Sequence, residues 1–254
     1  MSNNKGVALV TGAAQGIGRA IALRLAEDGF DVAVNDVSSK SENLDTLVEE
    51  IQNKGRASSK HIADVSQDQQ VQTLVEEVVK NHGSLDVMVA NAGILGPEVP
   101  FTEVTVEHWD QMLAVNARGP FLCYKYAGIQ MIKQGRGGRI IGTCSLAGKQ
   151  VITPLVSAYS ASKFAVRGLT QAAALELGAH QITVNAVAPG AIDTPMLGGS
   201  TVRGEKLEQI KQASPLKRVG LPEDIASLVS FLASKESQFI TGQTISSNGG
   251  LFFD

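Results

Sequence analysis

Short apolar runs alternate with longer amphipathic stretches along the chain, and this alternation most constrains the fold. Between residues 71 and 80 the apolar residues fall at 71, 74, 75, 78 and 79, the spacing of one helical face. Strands alternating with helices imply right-handed crossovers and a parallel sheet covered on both faces, so we expect an α/β fold whose strands are apolar throughout. Further helices are predicted over 19–28, 106–133, 157–178 and 223–233, and seven strands over 6–11, 31–36, 57–63, 85–90, 138–144, 182–188 and 243–246.

Length and charge narrow the class of protein. The 254 residues suit one domain covering 1–254, because α/β domains reach this size without splitting. Hydrophobic residues make up 43% and charged residues 19%, which argues against disorder. Lys and Arg total 22 against 25 for Asp and Glu, so the chain lacks the basic excess typical of a nucleic-acid partner, and none is expected.

The cysteines and the apolar runs bear on metals and membranes. Cys123 and Cys144 form no CxxC pattern and the four histidines are scattered, so we expect no metal. No run reaches the ~18 apolar residues of a membrane span, and residues 1–12 lack a signal-peptide layout. The sequence therefore predicts no membrane partner and, by default, a cytoplasmic location.

A glycine-rich turn, TGAAQGIG, lies between the first strand and the first helix. Glycines let the backbone approach a pyrophosphate closely, and a helix N-terminus offers free N–H donors. The spacing is GxxxGxG, not the commonest GxGxxG, and a tight turn without ligand is the alternative. The turn nevertheless predicts a dinucleotide site made by Gly12, Gln15, Gly16, Ile17 and Gly18.

Asp36 ends the second predicted strand, about 20 residues beyond Gly16. A carboxylate there accepts hydrogen bonds from the adenosine ribose hydroxyls and repels a 2′-phosphate. Neither position 35 nor position 37 is Arg or Lys, so the sequence predicts NAD(H) in preference to NADP(H). A helix or turn cap is the alternative role for this aspartate.

Other strand ends contribute smaller signals. Asn91, Ala92 and Gly93 follow the fourth strand; we expect the small turn to pass beneath the cofactor while Asn91 pins neighbouring strands. Asp64 and Val65 follow the third strand and can meet the adenine edge, although a turn aspartate is nearly as good an explanation. Two loops rich in Gly and Pro, 92–100 and 189–204, are candidates for the substrate rim, because ligands bind beyond the carboxyl ends of parallel strands.

Tyr159 and Lys163 lie four residues apart in a predicted helix and therefore share a face. A phenol with its ordinary pKa of about 10 is a poor base near neutrality. A neighbouring ammonium favours the phenolate, so we expect Lys163 to lower the pKa of Tyr159 and make it a general acid/base. Alone, the YxxxK pattern is common and usually marks a surface pair.

Ser145 and Asn116 strengthen that interpretation. Ser145 follows the fifth strand, at the same end of the sheet, where its hydroxyl can hold a substrate oxygen near Tyr159. Asn116 lies in the long helix before that strand, and its carboxamide can hold a water that links Lys163 to solvent. Separately, they are a turn serine and a polar helix residue.

These motifs, in this order and over nearly the whole chain, resemble the short-chain dehydrogenase/reductase family in its single-domain form. The resemblance implies a Rossmann-type, doubly wound, seven-stranded parallel sheet in a three-layer α/β/α arrangement. It also implies a homotetramer that pairs helices 106–133 and 157–178 and the C-terminal strand. The implied catalytic residues are Asn116, Ser145, Tyr159 and Lys163, with Lys163 also holding the nicotinamide ribose. The implied cofactor contacts after the sixth strand are Pro189, Gly190, Ile192 and Thr194, of which Thr194 matches a residue near the carboxamide.

Residues 144–148, 158–170 and 249–253 look like those of diacetyl/acetoin reductases and 2,3-butanediol dehydrogenases. Those enzymes often carry Gln where this chain has Leu146, and a longer loop after the Pro189–Gly190 turn, so the substrate stays open. A loop at about 190–212, with Gly198, Gly199 and Gly204, is expected to close over it. The candidate substrate contacts are Leu95, Ser145, Leu146, Gln150, Tyr159 and Met196.

The sequence therefore predicts hydride transfer between NAD(H) and a small-molecule secondary alcohol or ketone. A 3-oxoacyl thioester reductase and a sugar or polyol dehydrogenase are the alternatives within the family. A noncatalytic dinucleotide sensor is the alternative from another class, but such a protein is expected to have lost a catalytic residue, and the four named above are all present.

Overall fold

A computed structural model describes residues 4–151, 154–198 and 205–253 and shows one parallel seven-stranded sheet. The spatial order is β3-β2-β1-β4-β5-β6-β7, so the predicted fold is confirmed. The order reverses between β1 and β4, which is where doubly wound sheets bind dinucleotides. The strands are β1 Val7–Thr11, β2 Asp31–Asp36, β3 Ser58–Ile62, β4 Val87–Ala90, β5 Gly138–Thr143, β6 Ile182–Pro189 and β7 Thr244–Ser247.

Helices cover both faces of this sheet. Alternate residues of β1 point to opposite sides, so Ala8 and Val10 pack in one core cluster and Val7 and Leu9 in the other. The first cluster includes residues of α1, α2 and α8, and the second includes residues of α3, α5 and α6. The helices are α1 Gly16–Asp28, α2 Ser41–Asn53, α3 Asp68–His82, α4 Val106–Leu113, α5 Gly119–Gln134, α6 Ser157–Leu177, α7 Glu205–Ala213 and α8 Pro222–Ala233.

The expectation that every strand is apolar throughout was wrong for the two edge strands. β3 reads SSKHI, and His61 is its one buried residue. All four residues of β7 are partly exposed. An edge strand has a neighbour on one side only, so its side chains are less completely covered than those of the inner strands.

Three helical features differ from the prediction. Helix α2 was missed, although Leu44, Leu47 and Ile51 follow a helical spacing and are buried. The predicted helix 106–133 is divided by a π-helical turn at Ala114–Arg118. Helix α7 lies inside the predicted loop at 190–212, because EKLEQIKQA is rich in good helix formers. Residues 199–204 of that loop, with Gly199 and Gly204, lie outside the described residues.

Within the described ranges, no helix is long and apolar enough to cross a membrane. The same ranges contain no group of three or more His, Cys, Asp or Glu side chains placed to hold a metal ion. Cys123 and Cys144 are both buried, free thiols.

Candidate active site

The glycine-rich turn after β1 is shaped by positive backbone angles. Gly12 has φ +63° and Gly16 has φ +56°, a region that favours glycine. A Cβ atom on Gly12 would lie 2.7 Å from the Cα of Ala92, so the β1 and β4 turns approach each other too closely for a side chain. The turn therefore leaves bare backbone at the switch point of the sheet.

Helix α1 begins at this turn with its N-terminal N–H groups uncapped. Gln15 precedes the helix in an extended conformation and, among the described residues, makes no side-chain capping bond to it. The first turn of α1 carries no acidic residue either. Free N–H groups and the helix dipole make such an end an anion site, so the residues present fit a pyrophosphate.

Asp36 lies beside this turn at the end of β2. Its Oδ2 accepts a hydrogen bond from the Ala14 N–H at 3.1 Å, and its Oδ1 accepts one from the Val37 N–H at 2.9 Å. Asp36 therefore caps backbone turns, which was the alternative role predicted for it. Its carboxylate also lies beside the glycine-rich turn. Lys40 was not among the predicted site residues; its Nζ donates to Gln15 Oε1 at 3.1 Å and brings a cation to the same rim.

Asn91 pins β1 to β5, as expected. Its Nδ2 donates to the carbonyl oxygens of Thr11 and Gly12, at 3.0 and 3.2 Å. Its Oδ1 accepts from the hydroxyl of Thr143 at 3.2 Å. The next N–H, that of Ala92, donates to the Thr11 hydroxyl at 3.2 Å, so the turn after β4 is tied directly to the turn after β1.

Asp64 and Val65 follow β3 on the adenine side of the predicted site. Asp64 Oδ1 accepts from the Ser66 N–H at 2.9 Å, which is the local turn that the sequence analysis considered. Val65 is buried, and a Cβ on Gly119 would lie 3.0 Å from its side chain. Contact of these two residues with an adenine stays a prediction.

The π-helical turn places Asn116 inside the protein. π-helical turns recur at functional sites because they redirect side chains. Asn116 is fully buried; its Oδ1 accepts from the Ile94 N–H and its Nδ2 donates to the Ile94 carbonyl, both at 2.8 Å. Nδ2 also approaches the Ser162 hydroxyl at 3.3 Å. The carboxamide therefore fixes the loop at Ile94, and the water that it was expected to hold stays a prediction.

Gly93 shows how close Asn116 lies to Lys163. A Cβ on Gly93 would lie 3.2 Å from Asn116 Oδ1 and 3.5 Å from Lys163 Nζ. Asn116 Oδ1 and Lys163 Nζ thus lie on either side of Gly93. The turn of residues 91–93 after β4 therefore packs directly against two of the predicted catalytic residues.

Tyr159, Ser145 and Lys163 meet at the carboxyl end of β5. The Ser145 side chain lies close enough to that of Tyr159 to lower its pKa, and it accepts from the Ala147 N–H at 3.1 Å. Lys163 is buried, with Nζ 5.6 Å from the centre of the Tyr159 ring. Nζ donates to the carbonyl oxygen of Thr143 at 2.8 Å, a contact that the sequence analysis missed.

The expectation that Lys163 lowers the pKa of Tyr159 was wrong for this structure. Burial, the largest cause, raises the pKa of Tyr159, and the hydrogen bond from Ser145 opposes it only in part. Burial also lowers the pKa of Lys163 to about 8. The Lys163 ammonium is directed at the Thr143 carbonyl. Tyr159 is therefore protonated at neutral pH, and Lys163 loses its proton slightly above neutral pH.

Lys163 is expected to make the fold more stable as the pH rises from about 8 towards 10.5, its ordinary pKa. In that range the unfolded chain still binds a proton that the folded chain has released, so raising the pH destabilises the unfolded chain and increases the free energy of unfolding by up to about 3 kcal/mol across the range. Unfolding in urea at about pH 7 and about pH 10 tests this, with Lys163→Met as the reference that lacks the group. Because a buried ammonium is costly, Lys163→Met is expected to have the higher free energy of unfolding at about pH 7. The difference between the two proteins must shrink at about pH 10, and a constant difference would contradict the lowered pKa of Lys163.

The segment after β6 reaches back to the glycine-rich turn. Pro189 ends β6, and Ile192 is buried and forms a parallel bridge with Gly220. A Cβ on Gly16 would lie 3.3 Å from the Thr194 methyl group. Thr194 therefore lies against the same turn as the predicted pyrophosphate site.

The candidate substrate residues are unequally exposed. Leu146 is buried in the short helical turn Leu146–Gly148 that follows Ser145. Leu95 is partly exposed, whereas Gln150 and Met196 are exposed. Their contacts with a substrate stay predictions.

Comparisons with known proteins agree with this geometry. The family model described as "Enoyl-(Acyl carrier protein) reductase" matches residues 12–252. A short-chain dehydrogenase/reductase of Armillaria gallica is 54% identical over 253 residues, 98% of this chain and 96% of that protein. The chain belongs to the short-chain dehydrogenase/reductase family. It is thus an oxidoreductase of a family that uses nicotinamide dinucleotides.

Two further relatives in the short-chain dehydrogenase/reductase family differ in their named activities. The 3-oxoacyl-(acyl-carrier-protein) reductase of Staphylococcus aureus is 45% identical, covering 96% of this chain and 97% of that protein. The crystal structure of an acetoin dehydrogenase from Salmonella typhimurium superposes with a TM-score of 0.87 and 38% identity, over 97% of this chain and 95% of that one. The resemblance to acetoin reductases predicted from the sequence is consistent with the second.

Proposed function

We propose that the protein transfers a hydride between NAD(H) and a secondary alcohol or ketone, with Tyr159 as the general acid/base. The observation that carries this proposal is the placement of the Ser145 hydroxyl beside Tyr159, near the buried ammonium of Lys163. The hydroxyl groups of Ser145 and Tyr159 lie next to each other at the end of β5, so both can bind the same substrate oxygen. A noncatalytic dinucleotide sensor has no need of this pair.

Bound NAD(H) supplies the hydride acceptor or donor. In ketone reduction, Ser145 donates a hydrogen bond to the carbonyl oxygen, and protonated Tyr159 transfers its proton to that oxygen. In alcohol oxidation Tyr159 must first lose its proton and then accept the hydroxyl proton of the alcohol. The raised pKa of Tyr159 therefore leaves it at neutral pH in the protonated form that ketone reduction requires.

The residues around the glycine-rich turn fit the dinucleotide. The α1 N-terminus and Gly12 receive the pyrophosphate, and Asp36 receives the adenosine ribose, with Asp64 and Val65 at the adenine edge. On the nicotinamide side we propose Pro189, Gly190, Ile192 and Thr194, with Lys163 at the ribose. The proposed cofactor contacts nearer the turn are Gln15, Gly16, Ile17, Gly18, Asn91, Ala92 and Gly93.

The Asp36→Ser variant is expected to bind NADH about tenfold more weakly and to lose its discrimination against NADPH. The substitution removes the charge that repels a 2′-phosphate, while the serine hydroxyl still accepts from a neighbouring N–H. The ratio of kcat/KM with NADH to that with NADPH measures the effect. Asp45→Ser, on the exposed side of α2, is the matched control, and an unchanged ratio in Asp36→Ser would refute the role of Asp36.

A 3-oxoacyl thioester reductase is the second candidate function. The 45% identity to the Staphylococcus aureus enzyme favours it, and Lys40 brings a cation to the ribose side of the site. A panel containing diacetyl, cyclic ketones, aryl ketones, ketosugars and acetoacetyl thioesters, each with NADH and NADPH, separates the candidates. If kcat/KM is highest for a simple ketone with NADH, the result supports the alcohol dehydrogenase/ketone reductase. If it is highest for a thioester with NADPH, the result supports the 3-oxoacyl thioester reductase.

We also propose a homotetramer, as the family resemblance implied. Large apolar side chains are exposed on the two long helices expected to pair: Phe121 and Ile129 on α5, and Phe164 and Leu175 on α6. Exposed apolar groups at such density mark interaction surfaces. Light scattering on the purified protein measures the assembly directly, and a monomer would contradict it. The cytoplasmic location stays a prediction.

A further inference from the structure

Thr143, the last residue of β5, contacts both halves of the site through different atoms. Its carbonyl oxygen accepts from Lys163 Nζ at 2.8 Å, on the proton-transfer side. Its hydroxyl donates to Asn91 Oδ1 at 3.2 Å, on the cofactor side. The residue is buried, so both bonds are protected from exchange with water.

Asn91 extends the path to the glycine-rich turn. Its Nδ2 donates to the carbonyl oxygens of Thr11 and Gly12, at 3.0 and 3.2 Å. A continuous set of hydrogen bonds therefore runs from the backbone of Gly12 through Asn91 and Thr143 to Lys163 Nζ. Parallel pairing of β4 with β5, Ala90 opposite Gly142, holds the two middle members in register.

We propose that Thr143 is a positioning residue that couples occupation of the glycine-rich turn to the placement of the Lys163 ammonium. This inference rests on the proposed function, because it assigns a role to Lys163 in that reaction. An anion that draws on the backbone of the turn shifts the carbonyl of Gly12 and therefore the planar amide of Asn91. Thr143 is β-branched and its χ1 is restricted, so a pull on its hydroxyl is transmitted to its backbone carbonyl.

Substitutions at position 143 separate this coupling from mere packing. Thr143→Val keeps the shape but removes the donor to Asn91, and Thr143→Ser keeps the donor. Thr170→Val is the matched control: the Thr170 hydroxyl is buried and bonded to the Tyr124 hydroxyl at 3.1 Å. Thr170 lies about 10 Å further along α6 than Lys163, and the same kind of bond is lost there. Thr143→Ala is a second variant lacking the hydroxyl, in case Thr143→Val does not fold.

The test uses ADP, which ends at the pyrophosphate and so occupies the turn without the nicotinamide ribose. Lysine side chains are labelled with ¹³C at Cε, and the Lys163 signal is assigned with Lys163→Met. We expect ADP to shift this signal in the natural protein and in Thr170→Val, to shift it by less in Thr143→Ser, whose χ1 is less restricted, and not to shift it in Thr143→Val or Thr143→Ala. In turnover, Thr143→Val is expected to lower kcat by about 10- to 100-fold and to change the Kd for NADH far less.

The outcomes distinguish the inference from the function on which it rests. If ADP binds by calorimetry but does not shift the Lys163 signal in the natural protein, the coupling is refuted and the dinucleotide site stands. A shift of equal size in Thr143→Val refutes the part played by Thr143. If ADP does not bind at all, the proposed cofactor site is wrong and the coupling falls with it. Loss of kcat in Thr170→Val as large as in Thr143→Val reduces the role of Thr143 to packing.

Discussion

Replacing Tyr159 by Phe is expected to lower kcat by about 10²- to 10⁴-fold while leaving NADH affinity nearly unchanged. The variant keeps the ring beside Lys163 and loses the hydroxyl that we propose exchanges a proton with the substrate oxygen. The loss corresponds to about 3–5 kcal/mol of transition-state stabilisation. Steady-state turnover and fluorescence titration with NADH measure the two effects separately.

Tyr126→Phe is the matched control for that experiment. The Tyr126 hydroxyl donates to Asp68 at 2.8 Å on the outer side of α5, far along the helix from Asn116. The control removes the same atom and is expected to turn over normally. If Tyr159→Phe also turned over normally, the proton would have to come from another group, and the proposed mechanism would fail.

Replacing Gly18 by Ala is expected to lower the free energy of unfolding by about 2–4 kcal/mol and to weaken NADH binding more than tenfold. A Cβ there would collide with the Gly12 carbonyl oxygen and lie 2.5 Å from Asn91 Nδ2. The turn must open, which removes the Asn91 hydrogen bond to Gly12 and displaces the N–H groups at the start of α1. Urea unfolding and NADH titration measure both losses.

Gly178→Ala provides the comparison for Gly18→Ala. Gly178 follows α6 with φ −58°, and no described atom lies within 4 Å of a Cβ built on it. The substitution is expected to leave NADH binding unchanged and to stabilise the fold by up to about 1 kcal/mol. Equal losses in the two variants would show that the crowding at Gly18 does not matter.

The sheet was predictable because its signal is local. Buried inner strands are apolar runs flanked by turns and helices, and the bounds predicted for β2 are those observed. The edge strands β3 and β7 carry polar residues, yet their places in the alternation still revealed them. Helix α2 was not predicted, although its buried apolar residues follow a helical spacing that is visible in the sequence. That error is therefore one of interpretation and does not reflect a missing signal.

The sequence predicts where the candidate site residues lie in the fold, but not which atoms they contact. The alternation places Ser145, Asn91 and the glycine-rich turn at one edge of the sheet. Nothing in the spacing of residues shows that a π-helical turn redirects Asn116 to Ile94, or that Lys163 donates to the Thr143 carbonyl. Burial raises the pKa of Tyr159, whereas a nearby ammonium such as that of Lys163 lowers it, so the sign of the shift depends on which effect is larger. Both the burial and the distance are properties of the folded chain.

Transfer of deuterium from NADH that carries deuterium at both C4 positions tests the central claim most directly. The protein is incubated with the labelled cofactor and the best ketone of the panel, and the alcohol product is analysed by mass spectrometry. We expect one deuterium on the carbinol carbon of each product molecule formed, and loss of this product in Tyr159→Phe. Binding of NADH without deuterium transfer to any member of the panel would contradict it.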